Sequence, residues 1–206
     1  EMVTDLNLYL DNYLKQKKRK SLAGTLVGQI KKGQQLLMDH EDKKIVEFSN
    51  MLCGLGAHYI NEFSRATGAT YKTNKQVAMD ELWSVHSYER DYNPIHSHGT
   101  KTLMGISATM WTKVPQQILD QPTAGTSDYS LYNSSGHSDG CLAFQYGQGH
   151  VTDGETLKPA PSFVIRPEVG KLYLFPSWLQ HMVYPFQGKG ERRTVAANLN
   201  CWDVQA

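Results

Sequence analysis

Two histidines stand two residues apart in Asn93-Pro94-Ile95-His96-Ser97-His98-Gly99, and a third closes the run Phe175-Pro176-Ser177-Trp178-Leu179-Gln180-His181. Side chains two apart on an extended backbone share a face, so His96 and His98 have the spacing of a chelate. Neutral imidazoles bind divalent first-row metals through nitrogen. If His96, His98 and His181 occupy one octahedral face, the opposite positions stay open to small ligands, which is an arrangement for catalysis rather than structure. Taken singly, each has a plainer reading: turn imidazoles for His96 and His98, a ring packed by Trp178 for His181. Further on, Arg192 and Thr194 point one way along a strand while Arg193 points the other. A planar fork of donors beside a hydroxyl suits a carboxylate, although a surface ion pair or cationic patch would use the same residues.

Something must bring these residues together, and the rest of the chain is read for that. Leu6, Leu10, Tyr13 and Leu14 fall on one helical face after Thr4, which predicts a capped first helix running into the basic stretch Lys15 to Lys20. Residues 21 to 38 are left open between helix and strand, because Gly24, Gly28 and Gly33 interrupt their apolar positions. From Asp42, the residues Ile45, Phe48, Leu52, Leu55, Tyr59 and Phe63 recur at three- and four-residue intervals before Gly68, which predicts a long helix packed on a sheet. Beyond Thr70 the chain reads as β segments over 76–88, 102–114, 140–146, 162–166, 171–175 and 192–202. With no helical pattern between them, they predict an antiparallel sandwich or barrel. The polar stretch 115–139 is long for a loop and is expected to serve as a lid or substrate contact.

Composition narrows the function classes. The 206 residues suit a helical extension over 1–70 and a β core over 71–206, together one compact domain. A formal charge of +1 gives no general pull towards nucleic acid or anionic membrane. Cys53, Cys141 and Cys201 form no Cys-x-x-Cys pair, so neither a disulfide framework nor a thiolate zinc site is expected. A reducing, cytoplasmic setting fits that usage. No apolar run approaches the roughly 18 to 20 residues of a membrane span. Neither a Rossmann nor a P-loop fingerprint occurs.

From Trp83 to Asn198 the sequence resembles the 2-oxoglutarate and Fe(II)-dependent oxygenases, in the branch with Asn-x-x-His-x-His and Phe-Pro-Ser-Trp-Leu-x-His motifs. The residues that carry it are Trp83, Asn93, His96, His98, Val114-Pro115, Gly170 to His181, Glu191-Arg192-Arg193-Thr194 and Asn198. The resemblance implies a mainly β fold, a double-stranded β-helix or jelly roll, with N-terminal helices packed on one sheet. It implies that His96 and His181 are iron ligands, that Arg192, helped by Thr194, holds the distal carboxylate of 2-oxoglutarate, and that dioxygen is the second cosubstrate. His98 stands where the wider superfamily has Asp or Glu, and it is expected to complete an all-histidine triad. Ser107-Ala108 and Trp111 replace the usual Ser-Gly and Tyr, so Trp111, Tyr88 or Tyr173 would take over a cosubstrate contact, with Asn198 alongside. An unidentified prime substrate would be oxidised. The rival readings are a three-histidine cupin-type dioxygenase that needs no 2-oxoglutarate, a non-enzymatic jelly-roll binding module and a zinc hydrolase.

Overall fold

Asp42 starts the longest helix by accepting the backbone N–H groups of Lys44 and Ile45, and Gly68, in left-handed conformation at φ 67°, ends it. Between them α2, Lys43–Thr67, buries Ile45, Phe48, Leu52, Gly56 and Ile60 along one stripe. It lies so close to a sheet that a Cβ on Gly56 would come within 2.9 Å of Leu199 and 3.1 Å of Val77. Beside it α1, Met2–Tyr13, buries Leu6, Leu10 and Tyr13. The expected cap at Thr4 lies inside this helix. Glu1 takes the cap position without a side-chain bond, and the helix stops before the basic stretch.

The computed structural model describes residues 1–25, 28, 30, 33–68, 75–121, 138–146 and 162–203. Nine strands are found among them: β1 Gln34–Leu37, β2 Lys75–Ser87, β3 Asn93–His96, β4 Ile106–Lys113, β5 Leu142–Gln145, β6 Ser162–Ile165, β7 Leu172–Pro176, β8 Gln180–Val183 and β9 Arg192–Asp203. A single turn, α3 Gln116–Leu119, follows β4. All ladders are antiparallel, in a five-stranded sheet ordered β1-β2-β9-β4-β7 and a four-stranded sheet ordered β3-β8-β5-β6. From β2 onwards the chain passes back and forth between the sheets, which is the winding of a jelly roll.

The larger sheet has two unlike faces. Leu82, Ile106, Ala108, Met110, Val195, Ala197 and Leu199 pack with Leu6, Leu10, Ile45, Phe48 and Leu52 of the helices in one core cluster. The opposite face sends Trp111 and Phe175 against Leu142, Phe144 and Ile165 of the smaller sheet. Strand alternation therefore places every second residue of β2, β4 and β9 in the space between the sheets.

Some boundaries differ from the sequence reading for local reasons. The open segment 21–38 contains β1, a short edge strand paired with β2 and bridged through Leu36 to Ser21. β4 starts at Ile106 rather than Thr102, because the chain before it bends: the Thr100 hydroxyl donates to the Thr102 carbonyl, and the Lys101 N–H donates to Asn200. Most of the expected 115–139 loop, residues 122–137, lies outside the described residues. All three cysteines are free, and burial pushes the Cys141 thiol up to about 11. No described helix is long and apolar enough to cross a membrane.

Candidate metal centre and its arginine

β3 and β8, both only four residues long, pair so that His96 faces His181 across the ladder, with ring centroids 4.3 Å apart. His98 lies two residues past the end of β3. Its backbone N–H donates to the Ser177 carbonyl at 2.9 Å. Its ring stacks on the Trp83 indole, at 5.5 Å and 25°, and lies nearly parallel to the His181 imidazole, at 4.9 Å and 5°. The three histidines offer ligand atoms that all lie within 4.8 Å of one another. The Nε2 atoms of His98 and His181 are 3.1 Å apart. Two nitrogens each about 2.1 Å from one ion and at right angles would stand about 3 Å apart, so the separation suits neighbouring ligands of one metal.

Ring orientation suits a metal as well. The Nδ1 of His96 sits 2.6 Å from the Pro94 carbonyl and that of His181 sits 3.0 Å from the Leu179 carbonyl. A carbonyl only accepts, so both Nδ1 atoms carry the proton and both Nε2 atoms keep a lone pair; that of His96 accepts from the Asn93 Nδ2 at 3.2 Å, and that of His181 faces His98. Burial lowers the pKa of all three rings. It takes His98 to about 3, helped by the neighbouring His181 and His96, and His181 to about 4 against the opposing bond to Leu179. All three are thus neutral donors at neutral pH. Phe175 and Phe144 cover His181 at ring distances of 5.0 and 6.1 Å.

The triad opens into a cavity of about 290 Å³ between the sheets, whose walls include Trp83, Trp111, Arg192, Thr194 and Asn198. Arg192 is 3% exposed and donates to the carbonyls of Gly140 at 2.9 Å and Tyr184 at 3.4 Å, and to the Ser87 hydroxyl at 3.3 Å. Its Nε has no partner, and none of the ion pairs among the described residues involves it. Burial lowers its pKa to about 10, against the charge of Asp91 acting from further off. A buried cation without a paired carboxylate fits an anionic ligand. Thr194 is cross-strand neighbour to Val85 and Trp111 and lies on the same cavity-lining face as Arg192.

Not every expected contact is made. Tyr88 does not line the cavity: its backbone N–H donates to Asp91, and burial followed by the Glu191 charge raises its phenol pKa. The inward residues of β2 are Glu81, Trp83, Val85 and Ser87, so position 88 has the wrong parity. Tyr173 packs edge-on against Trp111 at 5.6 Å and is not a wall residue. Asn198 lines the cavity but bonds to Ser107 and approaches His98. Trp83 and Ser107 were not foreseen as neighbours of the triad. Their odd-numbered places on β2 and β4 were the available signal.

The sequence model of the family described as "Putative 2OG-Fe(II) oxygenase" matches residues 81–198, more than half of the chain. The chain belongs to that family. It is therefore a 2-oxoglutarate-dependent non-haem iron oxygenase, with Fe(II), 2-oxoglutarate and dioxygen as the family's requirements. No curated protein sequence matches it. Among solved structures, a Pseudomonas putida prolyl-4-hydroxylase aligns over 97% of this chain and 86% of its own, at 13% identity and a TM-score of 0.56. The carbocyclase SnoK of nogalamycin biosynthesis aligns over 96% of this chain and 74% of its own, at 12% identity and a TM-score of 0.57. HygX from Streptomyces hygroscopicus, solved with nickel and 2-oxoglutarate, aligns over 97% and 78%, at 8% identity and a TM-score of 0.54. At such identities these likenesses establish the jelly-roll fold.

Proposed function

We propose that this chain couples oxidative decarboxylation of 2-oxoglutarate to hydroxylation, or a related oxidation, of a prime substrate. His96, His98 and His181 are the metal ligands in this reading, and Arg192 with Thr194 receives the distal carboxylate of the cosubstrate. The observation that carries it is the pairing, within one cavity, of three converging neutral imidazoles with a buried arginine that forms no direct ion pair among the described residues.

When bound, iron and 2-oxoglutarate supply the oxidising chemistry, in which dioxygen is consumed, succinate and carbon dioxide are released and a substrate C–H bond is oxidised. The chain supplies placement. The Pro94 and Leu179 carbonyls fix two ring orientations, while Phe144 and Phe175 keep water from the His181 side. An all-histidine set brings no negative charge, so the full charge of a divalent ion remains available to an anionic cosubstrate. Arg192 and Thr194 work against a cupin-type reaction without 2-oxoglutarate, which would have no use for a carboxylate receptor there.

The test uses protein prepared without oxygen. Adding Fe(II) and then 2-oxoglutarate should give a visible metal-to-ligand charge-transfer band, and admitting air should release succinate. Metal uptake without either signal would favour the cupin-type reaction. No metal uptake at all would favour a non-enzymatic binding module.

A further inference from the structure

His98 differs from the other two histidines in what holds the far side of its ring. His96 and His181 have backbone carbonyls at Nδ1, which fix the proton there permanently. His98 has instead the side chain of Asn198, whose Nδ2 lies 3.4 Å from its Nδ1. Asn198 is 5% exposed on β9, and its Oδ1 accepts the Ser107 hydroxyl at 2.8 Å. With the oxygen so occupied, the amide presents its NH₂ to His98, and an amide NH₂ only donates. The Nδ1 of His98 must then accept, which puts the proton of the neutral ring on Nε2. That Nε2 is the atom 3.1 Å from the Nε2 of His181, whose lone pair is free. One N–H thus closes two of the three candidate ligand atoms on each other.

Resting on the metal reading above, we propose that Asn198 is a positioning residue that sets the tautomer of His98 by turning its amide over. With Nδ2 towards the ring, His98 closes on His181. With Oδ1 towards the ring, the amide oxygen accepts a hydrogen bond from Nδ1–H, and the ring leaves its Nε2 lone pair to a metal. Ser107 permits both positions, because a hydroxyl donates to Oδ1 in the first and accepts from Nδ2 in the second. The ring keeps one proton throughout. It leaves Nε2 and is replaced on Nδ1 by exchange with water, so no net charge moves. The Trp83 indole, stacked on one face, keeps the ring in its plane while this happens.

The experiment reads tautomer and metal affinity separately from turnover. Nitrogen-15 NMR of metal-free wild-type protein should show His98 protonated on Nε2, and Asn198→Asp, whose carboxylate only accepts, should move that proton to Nδ1. Titration with Co(II) should show Asn198→Ala weakening metal binding by roughly tenfold. That loss should disappear when His98→Ala is already present. A proton found on Nδ1 in the metal-free wild type, a proton left on Nε2 by Asn198→Asp, or a loss that persists in the His98→Ala background would each overturn the proposal. Wild-type protein that takes up no Co(II) overturns the metal assignment instead, while the NMR arm still tests the tautomer.

Discussion

Arg192 and Arg193 are adjacent on β9, both almost wholly buried, and opposite in every other respect. Arg193 points to the helix side. Its guanidinium donates to Glu191 at 2.8 and 2.9 Å, to Asp11 at 2.7 Å and to the Asn7 side chain at 3.1 Å. Glu191 in turn bonds His86 at 2.7 Å, and His86 meets Ser84 at 2.9 Å. This network ties α1 to the sheet and is complete within the chain. Arg192, facing the cavity, has two carbonyls and a hydroxyl but no carboxylate, and its Nε is unpartnered. The same side chain at equal burial is thus a structural tie on one face and, in the proposed reading, a receptor on the other. Partners, more than burial, separate the two roles.

Three measurements can break that contrast. The largest effect is expected from Arg193→Met, which leaves Asp11 with Lys113 and Glu191 with Lys113 and His86 and should cost about 3 kcal/mol of stability by chemical denaturation, with the 2-oxoglutarate requirement unchanged. Arg192→Met should do the reverse. It should raise the 2-oxoglutarate requirement about a hundredfold, as removal of a charge-assisted pair worth roughly 3 kcal/mol implies, while sparing metal uptake. It should cost less stability than Arg193→Met, since it breaks no direct ion pair. Equal requirements in the two variants would undo the distinction.

Acid separates the faces more gently. In metal-free protein His98 and His181 titrate near 3 and 4, below the ordinary 6.5, so between these values the unfolded chain binds protons that the folded chain does not. Stability should therefore be full above pH 6.5 and fall as pH drops towards 4 and then 3. Burial alone would raise the Glu191 carboxyl, but hydrogen bonds from His86 and Arg193 overcome it and hold it near 2. Its contribution is present above its ordinary 4.5 and is lost as pH falls towards 2. Urea midpoints against pH should lose the His181 share of the upper window in His181→Phe, the rest belonging to His98, and only the lower window in Glu191→Gln.

The sequence was most legible where a pattern repeats. α2 showed its stripe and its terminating glycine, and the alternation of the 12-residue β9 divided Arg192 and Thr194 from Arg193 in the sequence itself. Four-residue strands give no such repetition. β3 contains Pro94 and β8 follows a proline and two turn residues, so the two strands that align His96 with His181 were invisible while the histidines themselves stood out. The contact of Asn198 with His98 spans 100 residues and depends on where the bend before β4 lands. Tyr88 was a different matter, because counting along β2 would have excluded it.

Trp83, whose indole lies flat against His98, gives the centre an optical gauge of its own. Its companion Trp111 is equally sequestered, whereas Trp178 and Trp202 are 66% and 45% exposed. Emission from the sheltered pair is therefore bluer than that from the exposed pair, and a paramagnetic ion bound as proposed should quench the blue component first. Occupancy of the centre can be followed by fluorescence in unlabelled protein, without waiting for a substrate to be found.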